Sequence, residues 1–178
     1  MKKTEIQGII RSAIKSKDLC RMYFKYDGNY HYYFPLCLSD KLFLGAKEDD
    51  FLLDGFCIRR FCDLKKVEIK NDMSCDITKK ETKINELPIP KIDVSDWQSV
   101  FSSLQKTGQN IIIEHESLDD ANWEFYIGHI EKVLKTKVLF KHFDADGIWQ
   151  EELYNIPYSQ ITSVSFGCRY VEVFSKYV

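Results

Sequence analysis

The sequence predicts a mainly β protein with short helices (α+β), built as two tandem small antiparallel β-barrels, each preceded by an N-terminal amphipathic helix. Three observations lead to this fold class. The chain has 178 residues, which is enough for two small domains. One pattern, a helix followed by about five short strands, occurs twice along it. The second copy begins 91 residues after the first, with Ser95-Asp96-Trp97-Gln98 in the place of Thr4-Glu5-Ile6-Gln7.

Each copy opens with a predicted helix. Thr4 with Gln7, and Ser95 with Gln98, have the spacing of a capping box, in which the two side chains satisfy free backbone N–H groups of the first turn. Apolar residues then recur at the spacing of one helical stripe. The stripes consist of Ile6, Ile9, Ile10 and Ala13 in the first copy and of Trp97, Val100, Phe101 and Leu104 in the second.

Alternating apolar residues follow each helix and predict antiparallel strands. The strands predicted in the first copy span 19–26, 30–38, 41–47 and 55–62, with a short final strand at Val67-x-Ile69. Those predicted in the second copy span 110–116, 123–133, 136–143 and 149–156, with a final strand at Val164-x-Phe166. Tight turns are predicted at Asp27-Gly28-Asn29, Asp54-Gly55 and Asp146-Gly147, because Asp-Gly pairs favour turn conformations.

The repeat also predicts the domain organisation. Residues 1–71 form the first helix-plus-barrel repeat and residues 95–178 the second, which ends in a strand-like aromatic tail at 169–178. The segment 72–94 between them has little periodicity, and Pro88-Ile89-Pro90 favours an extended backbone there. We therefore expect this segment to be a linker.

The predicted strands resemble those of a known class of small barrels. A five-stranded sheet that closes on itself hides its edges. The capped helix, the run 41–47 with Asp54-Gly55-Phe56, and the ending Asp63-Leu64-x-x-Val67-x-Ile69 resemble the Sm-like and SH3-like barrels. Parts of the second copy also resemble an uncharacterised group of bacterial proteins; these parts are His142–Gly147, Ile156–Ile161 and Arg169–Tyr177. This resemblance implies a fold and no activity.

Composition predicts a cytoplasmic protein that contacts no membrane. Lys2-Lys3 is not followed by the apolar core of a signal peptide, and no apolar run approaches the ~20 residues that span a bilayer. The chain has 6 cysteines, which follow no disulfide-framework spacing. Unpaired thiols fit a reducing compartment.

Charge is distributed unevenly between the two copies. Residues 1–71 carry 14 Lys and Arg against 10 Asp and Glu, whereas residues 96–178 carry 7 against 12. Copies of opposite sign could attract each other, or a second molecule head-to-tail. Random drift of surface charge is the alternative, because isolated surface charges contribute little.

A metal site is considered at His142, Asp144 and Asp146. In a strand these three side chains project from one face, and together they could hold a divalent cation. Gly147 directly follows the second aspartate, however, so the calcium-loop pattern fails. A hairpin turn capped by Asp144 explains the same residues, and we predict no metal and no cofactor.

Catalytic signatures are absent from the sequence. It has no serine in a nucleophile-elbow pattern, no glycine-rich phosphate loop, no HExxH and no CxxC. We therefore expect a non-enzymatic protein.

Nucleic-acid binding is the alternative function. Phosphates need cations and bases need flat rings, and the first copy interleaves basic residues with Tyr23, Phe24, Tyr26 and Tyr30. The second copy has no comparable patch. The predicted nucleic-acid-binding residues are Arg11, Arg21, Lys25, Arg59, Arg60, Lys65 and Lys66.

The main functional hypothesis is a non-enzymatic binding or scaffolding protein. Small barrels capture peptides or partner barrels with exposed strand edges and aromatic grooves. Its partner would be another protein or a second copy of the chain. Aromatic residues that could form such a surface are Tyr30, Tyr32, Tyr33, Trp123, Tyr126, Trp149, Tyr154 and Tyr158.

Overall fold

A computed structural model describes residues 1–26 and 28–178 of the chain. The chain divides into two units, Met1–Pro90 and Lys91–Val178. Each unit contains five antiparallel strands within the described residues, with one helix before the first strand and another after the last. The mainly β fold class predicted from the sequence is therefore confirmed.

The first unit consists of, in chain order, α1 (Lys3–Ser16), β1 (Cys20–Phe24), β2 (Tyr30–Leu38), β3 (Leu42–Asp49), β4 (Leu52–Arg60), β5 (Leu64–Ile69) and α2 (Met73–Glu81). A short 3₁₀ turn, Phe61–Asp63, joins β4 to β5. The strands lie in the order β5-β1-β2-β3-β4.

Helices pack on both faces of the sheet of the first unit. On one face, α1 packs Ile6, Ile10 and Ala13 against a cluster that includes Met22 and Phe24. On the other face, a second cluster of buried residues joins α2 and the chain after it to the sheet. Its members are Leu19, Phe34, Ala46, Cys75 and Ile84. Burial of apolar surface against two helices stabilises this three-layer arrangement.

The second unit repeats this order. It consists of α3 (Trp97–Gln105), β6 (Ile111–His115), β7 (Glu124–Val133), β8 (Lys137–Phe143), β9 (Tyr154–Pro157), β10 (Ser163–Phe166) and α4 (Arg169–Phe174). A 3₁₀ turn, Asp120–Asn122, lies between β6 and β7. The strand order is β10-β6-β7-β8-β9. The predicted stripe of α3 is buried, and α4 packs Val171 on a cluster with Ile112, Ile127 and Phe143.

The prediction of two closed barrels is wrong, because the sheet is open. In the first unit the strand order ends at β5 and β4, and no ladder joins these two strands in the described chain. The strands β10 and β9 end the order of the second unit in the same way. Barrel closure would pair these end strands and so remove the sheet edges. Here a second helix, α2 or α4, covers apolar residues of the outer face, so the sheet stays a layer between helices.

Both of these second helices were missed in the sequence. The segment 72–94, expected to be a linker, contains α2, whose N-cap Asp72 accepts a hydrogen bond from the backbone N–H of Cys75. The expected strand-like tail at 169–178 instead contains α4. Val171 and Phe174, which are three positions apart in α4, pack with Val178 against the sheet, and this burial outweighs the local alternation.

Helix starts and turns also differ from the predictions. The N-cap of α1 is Lys2, without a side-chain hydrogen bond, and that of α3 is Asp96. The β3–β4 turn lies at Asp50-Phe51, and the predicted turn Asp54-Gly55 is inside β4. The predicted turn at Asp27-Gly28-Asn29 includes Asp27, which lies outside the described residues. No helix in the described chain is long and apolar enough to cross a membrane.

Candidate binding surface

The seven cations predicted to bind nucleic acid do not lie on one surface. Arg11 is exposed on α1, Lys65 is exposed on β5, and Arg59 is buried. Lys25 and Arg60 both reach the carboxylate of one aspartate, and Arg21 and Lys66 lie on the outer face of the sheet. The seven cations therefore lie in four environments: exposed to solvent, buried in the core, paired with one aspartate, or on the outer face of the sheet.

Arg59 lies inside the first unit. Arg59 is buried, with only 4% of its surface exposed. Its guanidinium carbon lies 3.7 Å from the centroid of the Phe24 ring. One Nη atom donates a hydrogen bond of 3.4 Å to the hydroxyl of Tyr33. A cation held in this position stabilises the core and does not reach a phosphate in solvent.

Lys25 and Arg60 share one ion-pair partner, Asp63. The Asp63 side chain is only 6% exposed; its Oδ2 lies 2.5 Å from Arg60 Nε and its Oδ1 lies 3.4 Å from Lys25 Nζ. Arg60 also donates a hydrogen bond of 3.0 Å to the hydroxyl of Tyr26. These contacts fix the β4–β5 connection, so the two cations have a structural role.

Arg21 and Lys66 belong to a different arrangement, which we call the tyrosine–arginine surface. It lies on the outer face of β5, β1 and β2, where directly opposed residues project to the same side. The register places Arg21 opposite both Tyr32 and Glu68, and Tyr23 opposite both Tyr30 and Lys66. The surface is formed by these six residues: Arg21, Tyr23, Tyr30, Tyr32, Lys66 and Glu68.

Cation–π contacts hold the side chains of this surface in place. The guanidinium carbon of Arg21 is 4.4 Å from the ring centroid of Tyr30 and 5.6 Å from that of Tyr32. Arg21 also donates a hydrogen bond of 3.1 Å to the hydroxyl of Tyr32. Lys66 Nζ lies 5.1 Å from the ring centroid of Tyr23. Contacts of this kind restrict long side chains that would otherwise sample many rotamers.

Glu68 sets the electrostatics of the surface. Its carboxylate is 2.6 Å from Lys66 Nζ and accepts a hydrogen bond of 3.0 Å from the Tyr23 hydroxyl. The hydrogen bonds from Lys66 and Tyr23 lower the pKa of Glu68, so it stays ionised at neutral pH. Hydrogen bonds with Tyr32 and Tyr23 raise the pKa of Arg21. The Nε of Arg21 is buried and has no hydrogen-bond partner in the described residues.

Among its described residues, the second unit has no equivalent of this surface. Ile112 occupies the register position of Arg21, because it lies opposite Ile127 on β7 and Ser165 on β10. Ile112 and Ile127 are buried in the cluster that contains Val171 of α4. In the first unit, α2 packs on the part of the face around Phe34, and Tyr30 keeps 42% of its surface exposed. The tyrosine–arginine surface is therefore a feature of the first unit.

A cleft of about 250 Å³ lies next to this surface and shares Tyr32 with it. One wall is the β3–β4 turn, with Glu48, Asp49, Asp50 and Phe51. The other wall comes from the end of β5 and from α2, and Leu19 and Tyr32 complete the lining. The residues of this second wall are Lys70, Ser74 and Thr78.

The turn that forms the acidic wall has an unusual backbone. Asp50 and Phe51 both have left-handed conformations, with φ of 46° and 68°. Such a conformation is rare for a bulky residue like phenylalanine. The backbone N–H of Phe51 donates a hydrogen bond of 2.7 Å to Glu48 Oε1. Burial raises the pKa of Glu48, and the charges of Asp49 and Asp50 raise it further.

The residues considered for a metal site have other partners. His142 lies between two tyrosine rings, with centroid distances of 5.9 Å to Tyr126 and 4.5 Å to Tyr154. The Asp144 carboxylate accepts hydrogen bonds from the backbone N–H groups of Asp146 and Ile148, and it caps the turn. Across the described residues, no group of three or more His, Cys, Asp or Glu side chains is placed to hold a metal ion.

Sequence reasoning found some members of the tyrosine–arginine surface and missed others. Arg21, Lys66 and the tyrosines were identified by composition. Glu68 and the cleft were missed, because both depend on pairing between distant segments, such as Arg21 with Glu68 across 47 positions. The acidic run at 48–50 was visible in the sequence, but the wall opposite to it was not.

Comparison of the chain with protein-family models, with curated proteins and with solved structures gives no match. The resemblance to uncharacterised bacterial proteins therefore stays a prediction.

Proposed function

We propose that this chain is a non-enzymatic binding protein that docks a protein partner on the tyrosine–arginine surface of its first unit. The observation that carries the proposal is the position of Arg21, which lies among three tyrosines on a part of the sheet face where Tyr30 is exposed. Tyrosine and arginine are enriched among the residues that dominate binding energy at protein interfaces.

Preorganisation of the surface supports this proposal. The hydrogen bond from Arg21 to Tyr32 and the contact between Lys66 and Glu68 order the side chains before a partner arrives. Binding to ordered side chains costs less conformational entropy than binding to mobile ones.

Nucleic acid is the second candidate partner, favoured by Arg11 and Lys65, which are exposed and form no ion pair among the described residues. Two features of the surface favour a protein partner over nucleic acid. Arg21 already lies over the rings of Tyr30 and Tyr32, where a base would stack. Glu68 places a negative charge beside Arg21, at 3.8 Å, where a phosphate would bind.

Site-specific photo-crosslinking in the producing cells tests the proposal. A photoreactive amino acid is placed at Tyr30, and a matched control is placed at Met73, which is 78% exposed in the same unit. We expect one discrete, protease-sensitive adduct at position 30 and none at position 73. The complex should reform from the purified components and should be lost in Arg21→Ala.

Two results would overturn the proposed partner class. An adduct at position 30 that nuclease removes would assign the surface to nucleic acid. Equal crosslinking at positions 30 and 73 would show that Tyr30 does not lie in an interface. The non-enzymatic part is tested separately, since a turnover of the purified protein that one side-chain change abolishes would contradict it.

A further inference from the structure

We propose that the cleft between the β3–β4 turn and α2 binds a small zwitterion of the class of free amino acids and short peptides. This inference goes beyond the proposed function and does not depend on it. It rests on the opposite charges of the two walls, which belong to different segments of the first unit.

The acidic wall would receive an ammonium group. Glu48 Oε1 is occupied by the backbone N–H of Phe51, and this hydrogen bond fixes the carboxylate in the cleft. A carboxylate can accept about four hydrogen bonds in total. Asp49 and Asp50 are exposed at the rim, and they add negative charge without burying it. An ammonium ion donates up to about three hydrogen bonds and matches such a wall.

The opposite wall would receive a carboxylate. Lys70 is paired with Asp72, and its Nζ lies 5.8 Å from the ring centroid of Tyr32, which restricts the side chain. An ammonium group with three donors keeps donors available after one contact with Asp72. Asp72 Oδ1 is already bound by the hydroxyl of Ser74 and by the N–H of Cys75. Lys70 is thus anchored at the cleft and can contact a second anion.

The combination of charges selects the ligand class. A simple anion would be repelled by the three carboxylates, and a simple cation would leave the free donors of Lys70 without an acceptor. A molecule with both charges avoids this conflict. Its middle part would lie on Leu19 and Tyr32, and Leu19 is only 3% exposed.

The size of the cleft also limits the ligand. Its volume of about 250 Å³ is smaller than the roughly 300–1,000 Å³ of pockets for drug-sized ligands. An amino acid or a dipeptide fits this limit, whereas a nucleotide or a long peptide would extend into solvent. The separation of the two charges then becomes the property that distinguishes one zwitterion from another.

Titration of the full chain, followed by the backbone amide signals in NMR, tests this inference. The probes are glycine, glycylglycine and 6-aminohexanoate, which separate the two charges by increasing distances, and methylamine and acetate serve as singly charged probes. All are added at constant ionic strength, because salt screens such contacts. We expect saturable shifts at Phe51 and Thr78 for at least one zwitterion, and weaker binding of methylamine and of acetate.

Charge removal identifies the two walls. Asp49→Asn and Lys70→Met should each weaken binding about tenfold or more, since each removes a charge-assisted contact. Asp40→Asn and Lys65→Met are matched controls at exposed positions outside the cleft, and they should bind as the unchanged protein does. The amide spectrum shows at once whether a variant is folded, and Asp49 lies in an exposed turn where the asparagine variant is compatible with folding.

Three outcomes would overturn the inference. One is the absence of saturable shifts with every zwitterion up to millimolar concentrations. The second is equal binding of methylamine or acetate, and the third is an equal loss of affinity in the control variants. These outcomes leave the proposed function untouched, because crosslinking at Tyr30 does not involve Asp49 and is read separately.

Discussion

The guanidinium carbon of Arg59 lies 3.7 Å from the centroid of the Phe24 ring, within the buried part of the first unit. The neighbouring residue Arg60 instead reaches Asp63 and Tyr26. Successive residues of a strand point to opposite faces, so two adjacent arginines of β4 cannot share one surface. Arg59 therefore contributes to stability and Arg60 to the β4–β5 connection.

Replacement of Arg59 by leucine should lower the free energy of unfolding of the first unit by about 2 kcal/mol, the size of a desolvated cation–π contact. The variant also removes the hydrogen bond to the Tyr33 hydroxyl. Arg11→Leu, at an exposed position of α1, should change stability by less than about 0.5 kcal/mol. Urea unfolding of both variants checks the difference, and equal effects would contradict a core role for Arg59.

The local elements were predictable because their signals are short-range. The stripe Ile6, Ile10 and Ala13 is buried in α1 as helical periodicity predicts, and the bounds of β2 coincide with the predicted 30–38. Closure of the sheet was not predictable in this way. Whether the sheet closes or stays open depends on contacts between distant segments. Cys75 and Ile84 pack with Phe34, for example, although they lie some 40 to 50 positions away from it in the sequence.

The candidate site was predictable only in composition. Arg21 and Tyr30 could be recognised as a basic and an aromatic residue near each other in sequence. That Arg21 lies over the ring of Tyr30 depends on the β1–β2 register, and its pairing with Glu68 depends on β5. The cleft required α2, which the sequence pattern did not reveal, because its buried residues Cys75 and Thr78 are not strongly apolar.

Gly128 is the position of β7 where a side chain has no room. A Cβ atom there would lie 2.0 Å from the carbonyl oxygen of Lys141 and 2.7 Å from the Cα of His142, both of which are backbone atoms that cannot move alone. Its φ of 157° is also unfavourable for other residues. Gly128→Ala should therefore destabilise the second unit by about 3 kcal/mol.

Gly8→Ala is a control for which the expected change in stability has the opposite sign. A Cβ at Gly8 in α1 would meet nothing within 4 Å, and alanine is the better helix former, so stability should rise by about 1 kcal/mol. Thermal unfolding of both variants measures the two changes. A Gly128→Ala protein as stable as the unchanged protein would show that the β7–β8 ladder accommodates a side chain.

The start of α3 allows a test between two adjacent cap residues. The sequence pattern favours Ser95, but in the structure Asp96 is the N-cap and accepts a hydrogen bond of 2.9 Å from the N–H of Ser99. Asp96→Ala should cost about 1 kcal/mol of unfolding free energy. Ser95→Ala should cost less, because Ser95 bonds to Asp93 outside the helix. Chemical unfolding that ranks the two variants in reverse would restore Ser95 as the cap.

His142 gives the second unit a sensitivity to acid. Burial between Tyr126 and Tyr154 lowers the pKa of His142 from its ordinary value of 6.5, an effect larger than the opposing influence of Asp144. The unfolded chain therefore binds a proton at a higher pH than the folded chain does. Above both pKa values the imidazole is neutral in both states, and the difference disappears. As the pH falls below about 6.5, protonation favours the unfolded chain, and stability decreases.

His142→Phe removes this titration and retains a ring between the two tyrosines. Its unfolding free energy should fall less than that of the unchanged protein between about pH 8 and about pH 5, with the two curves diverging below about pH 6.5. His129→Phe on β7 makes the same replacement of an imidazole by a phenyl ring and is the matched control for the substitution itself. Parallel curves for His142→Phe and the unchanged protein would mean that the imidazole is protonated as readily in the fold as in the unfolded chain. In that case His142 Nδ1, which has no hydrogen-bond partner among the described residues, would reach solvent, and the contacts with Tyr126 and Tyr154 would not restrict its titration.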